Sequence, residues 1–429
     1  MKTRFLQEES LYPHFGGLGR IGNMLHYHTA GESHGKALVT LVDGFPAGVE
    51  IREEPIDAEL RRRQKGYGRG GRQQLEADHV EILSGLWHGS TIGSPIALLV
   101  RNNDYKIERM DDLACPRPGH GDLNGSIKYL GSIRGVLERA SARETTARIG
   151  AGGLAKQLLA HFGIEVFAYV TAIGPIDVAP RPGTLEQQRL LRDQSELYTL
   201  DPSQDARIKT LVDRTREQGD TLGGLIEVRA EGVPFGLGSH TQWDKKLSGR
   251  LAQAVMSVQA IKGVEIGLGF QAARRPGSEV HDPIRYDPAL VDTTSLGFVR
   301  PTNHAGGLEA GMSNSQPIVL RAAMKPINTL AQPLESVRLE TKQPESASYE
   351  RSDVCAVSAA SCVVENVVAF EIARAMVDKF GGDSLAEMQG RWKLFHELAR
   401  EHLAAQESAP RRHGGHGEKK RCNDESTEI

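Results

Sequence analysis

The 429-residue chain lacks the features that mark secreted, membrane-spanning or disulfide-stabilised proteins. It has only four cysteines and no CxxC pair, which predicts free thiols and neither a disulfide framework nor a metal site. No apolar run approaches the roughly 18 residues that a membrane span needs, and the N-terminus has no apolar signal-peptide core. We therefore expect no membrane partner and a cytoplasmic location.

The chain also has little net charge and few aromatic residues. The 52 Lys and Arg residues are balanced by 55 Asp and Glu residues, so the net charge is −3. This balance argues against a protein that coats nucleic acid, and any basic site must be local. Aromatic residues make up 5% of the chain, whereas 47 residues are glycine, which predicts many tight turns.

Regular hydrophobic patterning is confined to residues 24–406, which contain neither a linker nor a repeat. We expect this body to be a single catalytic domain. Residues 1–23 have no sustained period and predict a flexible extension. Residues 407–429 are polar and charged, which is typical of a disordered tail.

The body alternates between helical and strand-like patterns. Helical periodicity covers residues 57–65, 135–162, 247–258 and 356–379. The last two are apolar enough to be central. Apolar, β-branched runs predict strands at residues 37–42, 80–85, 95–100, 164–173, 224–230 and 318–323. The charged stretch 181–220 predicts a helical excursion on the surface, and the mixture as a whole predicts an α+β or α/β fold.

Two stretches, residues 17–22 and 66–71, match the dinucleotide motif G-x-G-x-x-G. Neither lies between a strand and a helix, so a Rossmann site is not predicted. The second is surrounded by basic side chains: Arg61, Arg62, Arg63, Lys65, Arg69 and Arg72. Guanidinium groups and exposed backbone N–H groups suit phosphate and carboxylate. The loop is thus a predicted anion site, with a solvated basic loop and a non-catalytic RNA-associated surface as alternatives.

Two histidines lie in glycine-rich turns. Residues 31–35 read Gly-Glu-Ser-His-Gly and match the nucleophile elbow of serine hydrolases, which makes a hydrolase using Ser33 an alternative. The elbow needs a following helix, however, and residues 37–42 are strand-like, so His34 is the stronger candidate. His120 lies in a similar turn, close to Asp122. Two imidazoles on rigid loops that face one cavity would suit proton transfer, whereas each alone could be a plain turn residue.

Arginines and carboxylates recur near two helix ends. Arg139, Arg143 and Arg148 share one side of a predicted helix and could face an anion, although ion pairs with Glu138 and Glu144 are favoured. Residues 350–353 precede the last apolar helix. They could hold an anionic cofactor there, or Ser352 or Asp353 could cap the helix.

Taken in order, these segments resemble the chorismate synthase family. The matching segments are residues 31–35, 42–44, 62–69, 117–122, 141–146, 219–224, 262–265, 303–307, 325–326 and 351–353. The resemblance implies anti 1,4-elimination of phosphate from 5-enolpyruvylshikimate 3-phosphate, which gives chorismate in the shikimate pathway of aromatic amino-acid biosynthesis. It also implies a requirement for reduced FMN without net redox change, with NADPH as a candidate reductant. The implied fold is α+β, a β-α-β sandwich with central long helices between antiparallel sheets and an internal pseudo-twofold, assembled as a homotetramer.

The resemblance also implies roles for single residues. His34 is similar to the family's histidine that protonates the reduced flavin, His120 to a general acid near the leaving phosphate, and Asp353 to a carboxylate that helps to take up the C6 proton. Flavin contacts are implied for Arg139, Ala140, Ser141, Gln259, Ala260, Ala310, Lys325, Pro326, Ile327, Asn328, Thr329 and Arg351. Contacts with NADPH or the anionic substrate are implied for Ser33, Arg63 and Arg69.

Two positions depart from the family pattern. Ser358 stands where a proline is usual, so we expect a slightly different helix start. Ala310 replaces a common glycine, which matters little if only its backbone contacts the flavin.

Overall fold

Each of the six apolar runs predicted as strands forms a strand in the computed structural model, which describes residues 25–70, 77–350 and 353–408. The strands are β1 (His26–Ala30), β2 (Ala37–Asp43), β3 (Val80–Ser84), β4 (Leu86–Trp87), β5 (Ser90–Thr91), β6 (Ile96–Arg101), β7 (Glu165–Ile173), β8 (Ile176–Asp177), β9 (Gly224–Glu231), β10 (Phe235–Gly238), β11 (Ile261–Ile266), β12 (Arg285–Tyr286), β13 (Phe298–Val299), β14 (Leu308–Glu309), β15 (Met312–Asn314), β16 (Ile318–Met324), β17 (Glu335–Val337) and β18 (Pro344–Ser346).

The α-helices of the described residues include the predicted helical regions near 57–65, 247–258 and 356–379 and the surface excursion, whereas the region 135–162 contains two helices. The described helices are α1 (Glu53–Gln64), α2 (Asp122–Tyr129), α3 (Ile133–Ala140), α4 (Thr145–Ala160), α5 (Leu185–Gln194), α6 (Asp205–Glu217), α7 (Leu247–Met256), α8 (Gly277–Val280), α9 (Val357–Phe380) and α10 (Leu385–Ser408). The mixture of helix and sheet is consistent with the predicted α+β class. The predicted extension at 1–23 and the cofactor candidate Arg351 lie outside the described residues, as does the predicted tail beyond Ser408, the last residue of α10.

Two antiparallel sheets contain the longer strands. Sheet 1 has the strand order β1-β2-β6-β3, and sheet 2 has the order β11-β16-β9-β7-β8. Helix α4 packs on β2 and β6 of sheet 1, α9 packs on β7 and β9 of sheet 2, and the two helices pack against each other. The hydrophobic core surrounds these helices.

Helix α9 is buried on every side, as its apolar sequence predicts. It approaches α4 closely at Gly152, where an added Cβ would lie 2.4 Å from the Cβ of Asn366. Only glycine permits this approach. Ser358 lies in the first turn of α9, where proline is also tolerated, so the replacement leaves a regular helix start at Val357. Its hydroxyl donates to the carbonyl of Leu197 at 3.0 Å.

The prediction of one helix over residues 135–162 was wrong. Ser141 interrupts it with an extended backbone (φ −60°, ψ 144°), and residues 142–144 form a short 3-10 turn between α3 and α4. The Ser141 hydroxyl accepts a hydrogen bond from the Arg143 N–H, the kind of local bond by which serine competes with helical pairing. The break places Ala140 and Ser141 at a cavity wall.

Cys115, Cys355 and Cys362 are buried free thiols, as predicted. Over the described ranges, no helix combines the length and the apolar character needed to cross a membrane.

Candidate active site

One cavity of about 780 Å³ brings together most of the residues singled out from the sequence. Its volume is in the range typical of sites for small molecules. The candidate residues that line it are Ser33, His34, Arg63, Arg69, His120, Ala140, Ser141, Gln259, Ala260, Lys325, Ile327, Asn328, Thr329 and Asp353.

Of the candidates within the described ranges, three are not among the lining residues. Pro326 lies between Lys325 and Ile327, which both line the cavity. Arg139 is exposed, and its guanidinium donates to the carbonyls of Gly31 at 3.0 Å and Thr29 at 2.8 Å. Ala310 lies in the turn between β14 and β15 with a left-handed φ of +51°, a conformation that suits the glycine it replaces.

The turn between β1 and β2 presents His34 to the cavity. The turn requires Gly31, which has a φ of +110° and whose added Cβ would lie 2.4 Å from the carbonyl of Ala37. His34 Nδ1 lies 2.9 Å from Oε1 of Glu138, and the His34 backbone N–H donates to Oε2 of the same carboxylate at 2.7 Å. On the other side of the ring, Nε2 is 3.8 Å from Oδ2 of Asp104.

Glu138 is held in its ionised form by these contacts. Burial opposes ionisation, but the hydrogen bonds from the side chain and backbone of His34 hold the pKa of Glu138 below its usual value. The charge of Arg134 acts in the same direction. A buried carboxylate therefore lies behind the first candidate histidine.

The second candidate histidine has a carboxylate behind it as well. Nδ1 of His120 contacts Oδ1 of Asp122. Arg117 binds both oxygens of that carboxylate, from Nε at 2.8 Å and from Nη2 at 3.0 Å, and it donates to the Thr329 hydroxyl at 3.1 Å. Burial alone would raise the pKa of Asp122, but hydrogen bonds from His120 and Arg117 bring it well below its usual range.

Asp353 joins the basic loop after α1 to the segment before α9. Its Oδ2 lies 2.7 Å from Nη1 of Arg69, and its Oδ1 accepts from the Gly70 N–H at 2.7 Å. The N-cap of α9 is Ala356, without a side-chain bond. The alternative that Asp353 caps this helix was therefore wrong, and Ser352 lies outside the described residues.

Arg63 extends from the last turn of α1 into a buried cluster. Its guanidinium donates to the Thr145 hydroxyl at 2.9 Å and lies 3.6 Å from Oδ2 of Asp78. Burial is the main cause that lowers the pKa of Arg63 to about 10; Asp78 opposes the shift, while Arg143 and Arg69 add to it. This crowding of buried positive charge shows that a purely solvated basic loop was the wrong alternative.

The other two arginines of the predicted helical series form ion pairs. Arg148 binds Glu144 at 2.9 Å, as favoured from the sequence. Arg143 binds Asp78 at 2.7 Å, a partner that the sequence did not indicate, and it also lines the cavity.

Positive charge dominates the cavity wall. Among the residues that the structure describes, seven cationic side chains line it, namely Arg63, Arg69, Lys106, Arg117, Arg143, Lys262 and Lys325. Three carboxylates do so, namely Asp104, Glu350 and Asp353. Burial, followed by the charge of Lys262, lowers the pKa of Lys325. Such a wall is suited to a ligand with several negative charges.

Polar atoms without a protein partner also mark the wall. Oε1 of Gln259, Nδ2 of Asn328 and Nε of Arg69 are buried without a hydrogen bond. The Gln259 amide is oriented by its other end, which donates to Glu144 at 3.1 Å. Buried polar atoms are rarely left unpaired, so these atoms indicate where a polar ligand would bind.

The hydrolase alternative lacks its structural requirement. Ser33 lies in a strand-turn-strand hairpin between β1 and β2, not in a strand-turn-helix elbow. Its hydroxyl accepts from the Ser141 hydroxyl at 3.1 Å.

Sequence reasoning missed Glu138, Asp78 and Asp104 as site residues. Glu138 is 104 positions away from His34, and Asp78 is 65 positions away from Arg143. No local spacing could have joined these pairs. A buried acidic residue near a glycine turn is visible only after folding.

Comparison with known proteins agrees with this arrangement. The sequence model of the chorismate synthase family matches residues 25–377. The chain is 51% identical over 391 residues to the chorismate synthase of Geobacter sulfurreducens, covering 88% of this chain and 100% of that protein. It is 53% identical over 380 residues to that of Geobacter metallireducens, covering 85% and 97%.

A solved structure described as a crystal structure of chorismate synthase superposes with a TM-score of 0.73. The two chains are 41% identical, and the match covers 88% of this chain and 98% of the other. The family match includes the cavity residues from Ser33 to Val363. This chain therefore belongs to the chorismate synthase family.

Proposed function

We propose that this protein is a carbon–oxygen lyase that converts 5-enolpyruvylshikimate 3-phosphate to chorismate and phosphate. The observation that carries the proposal is that His34 and His120, from separate loops, line one strongly cationic cavity in a chain of this family. Each histidine has a buried carboxylate behind it.

Substrate binding is assigned to the cationic wall. The substrate has a phosphate and carboxylates, and several fixed guanidinium groups can bind these anions with two hydrogen bonds each. Arg63 and Arg69 are the candidates from the basic loop, with Ser33 beside them. Arg143 joins them because its Asp78 partner fixes it at the same wall.

Loss of phosphate requires the breaking of an allylic C–O bond, and negative charge develops on the oxygen of the leaving phosphate. His120 is proposed to donate a proton to the leaving phosphate, and Arg117 and Lys325 supply fixed positive charge nearby. Lys325 Nζ donates to the Gly119 carbonyl, which ties the basic group to the turn of His120.

The cofactor is proposed to be reduced FMN, which would supply a transient electron without net redox change. The fit is supported by the unpartnered Gln259 Oε1 and Asn328 Nδ2, which offer an acceptor and a donor to a heteroaromatic edge. The proposed flavin contacts on this wall are Ala140, Ser141, Gln259, Ala260, Lys325, Ile327, Asn328 and Thr329. Contacts of Arg139, Pro326, Ala310 and Arg351 remain predictions of the family resemblance.

Two further proton positions are assigned. His34 is proposed to hold a proton next to the cofactor, and Asp353 to help take up the C6 proton of the substrate. Asp353 is fixed for this by Arg69 and the Gly70 N–H. NADPH is proposed as a reductant that would reach the cavity past the same Arg63 and Arg69.

We also propose the finer features of the family fold. A β-α-β sandwich with an internal pseudo-twofold is supported by the similar packing of α4 on sheet 1 and α9 on sheet 2. A homotetramer is supported by the outer face of sheet 1, where apolar Leu41 is 42% exposed beside the Val39–Leu99 pair. A cytoplasmic location is proposed from the reduced cysteines.

The test is an anaerobic phosphate-release assay with 5-enolpyruvylshikimate 3-phosphate. Its arms contain dithionite-reduced FMN, oxidised FMN with NADPH, or no flavin. Release only with reduced flavin is expected, and release in the NADPH arm would add a flavin reductase activity. No release from folded protein in any arm would overturn the lyase proposal, and labelling of Ser33 by a fluorophosphonate would then support the hydrolase.

A further inference from the structure

Glu138 is a buried carboxylate of α3 to which the proposed function gives no role of its own. Its side chain is 1% exposed. It makes three bonds to the turn between β1 and β2. Its carbonyl accepts from the Ser33 N–H at 2.9 Å, its Oε2 accepts from the His34 N–H at 2.7 Å, and its Oε1 lies 2.9 Å from His34 Nδ1.

His34 is the main partner of this carboxylate. Arg134, one helical turn earlier, is farther from it, with Nη1 3.8 Å from Oε1. Arg134 instead binds Glu350 at 2.8 Å. The arrangement is therefore a histidine–carboxylate pair and not a helix-surface ion pair.

The contact selects one form of the imidazole ring. A neutral imidazole has one nitrogen that donates and one that accepts, whereas an ionised carboxylate only accepts. Nδ1, facing Glu138, must therefore carry the hydrogen. Nε2 is left on the side of Asp104 and the cavity.

We propose that Glu138 is a positioning residue that keeps the hydrogen on Nδ1 of His34, so that Nε2 is the nitrogen that exchanges a proton at the cavity. The expected effect on turnover rests on the proposed function. The assigned ring form does not, because it follows from the contacts alone.

The substitution Glu138→Gln tests this with almost no change of shape. The His34 backbone N–H can still donate its hydrogen bond, now to the oxygen of the new side-chain amide. The amide NH₂ group then faces Nδ1 and favours the opposite ring form, with the hydrogen on Nε2. Glu81→Gln is the control, because Glu81 is an exposed carboxylate paired with Arg101.

In the phosphate-release assay, Glu138→Gln is expected to lower kcat between about 10-fold and 10⁴-fold, the range for a mispositioned general acid or base. KM should change little, and Glu81→Gln should behave as wild type. In a His34→Ala background, Glu138→Gln should cause little further loss, because both changes remove one function. An equal loss in both backgrounds, or a change in KM alone, would overturn the proposal.

The ring form can be measured without turnover. ¹⁵N shifts of histidine-labelled protein, at a pH where the ring is neutral and with His34→Gln for assignment, should show Nδ1–H in wild type and Nε2–H in Glu138→Gln. The same ring form in both proteins would overturn the inference. Absence of phosphate release from wild type would overturn the proposed function instead. The NMR result would still decide whether Glu138 sets the ring form of His34.

A second variant keeps the proposal testable if Glu138→Gln does not fold. Glu138→Ala removes the carboxylate and leaves space beside Nδ1. Added formate is expected to restore part of its kcat, and formamide is not. Equal effects of formate and formamide would contradict a role for the carboxylate.

Discussion

Tyr67 and Asp213 are 146 residues apart in the sequence, yet the Tyr67 hydroxyl lies 2.9 and 2.8 Å from the two carboxylate oxygens of Asp213. Tyr67 belongs to the basic loop after α1, and Asp213 belongs to α6 in the surface excursion. Lys209 and Arg216 lie over the Tyr67 ring. The excursion therefore anchors the loop that supplies Arg69 to the cavity.

Tyr67→Phe should loosen this anchor. Loss of a hydrogen bond to a charged group costs about 1.5–3 kcal/mol, part of which we expect as a lower free energy of unfolding. Because the loop carries Arg69, KM for the anionic substrate should also rise. Tyr286→Phe, at an exposed tyrosine, is the control. If Tyr67→Phe is destabilised but its KM is unchanged, the Tyr67–Asp213 hydrogen bond contributes to stability and does not affect substrate binding.

His34→Ala and His120→Ala should each lower kcat strongly, by about 10²- to 10⁴-fold, because each removes a proposed proton-transfer group. FMN binding should largely survive, since the proposed flavin contacts lie on other segments. Steady-state kinetics and a flavin titration by fluorescence measure the two effects. A variant with wild-type turnover would remove that histidine from the mechanism.

Arg63→Ala should mainly raise KM for the anionic substrate, because it removes fixed positive charge from the wall. It also removes one of the two arginines that lie close to Asp78 in the described part of the chain, so a lower melting temperature is expected. Arg61→Ala is the matched control, since Arg61 lies on the exposed side of the same helix turn. An unchanged KM in Arg63→Ala would place the anion site elsewhere.

Glu365 should make stability depend on pH. This buried carboxylate of α9 accepts from Arg62 at 2.9 Å and from the Ala168 N–H at 2.8 Å, and it contacts Lys156. Burial opposes its ionisation, but Arg62 and Lys156 bring its pKa below the usual value. The folded state then binds fewer protons than the unfolded chain below about pH 4.3, so stability is lost as the pH falls.

Glu365→Gln should lower the free energy of unfolding at pH 7 by about 3–5 kcal/mol, since it leaves buried cations without a partner. It should also flatten the acid side of the stability profile. Denaturant unfolding at several pH values measures both effects. Glu81→Gln is the exposed control, and an equally steep acid loss in Glu365→Gln would exclude Glu365 as its source.

Six strand positions could be predicted because each of these strands is a short apolar run that reflects burial directly, as at residues 37–42 and 318–323. The site motifs could also be predicted, because glycine turns and the basic loop are contiguous. The break at Ser141 could not, since residues 135–162 keep a helical apolar pattern through it. The Ser141 hydroxyl binds the Arg143 N–H and so interrupts the helix, whereas serine also occurs within regular helices, so its presence alone does not predict a break.

The sequence by itself determined the classes of residue at the site: two glycine-bracketed histidines and an arginine-rich loop. These are local properties that composition and spacing record. Only the tertiary structure decided that Glu138 lies behind His34, that Asp78 binds Arg143 and that Ala310 lies away from the cavity wall. Such pairings depend on how distant segments pack around α4 and α9, and a buried charge takes whichever partner that packing brings within hydrogen-bond distance.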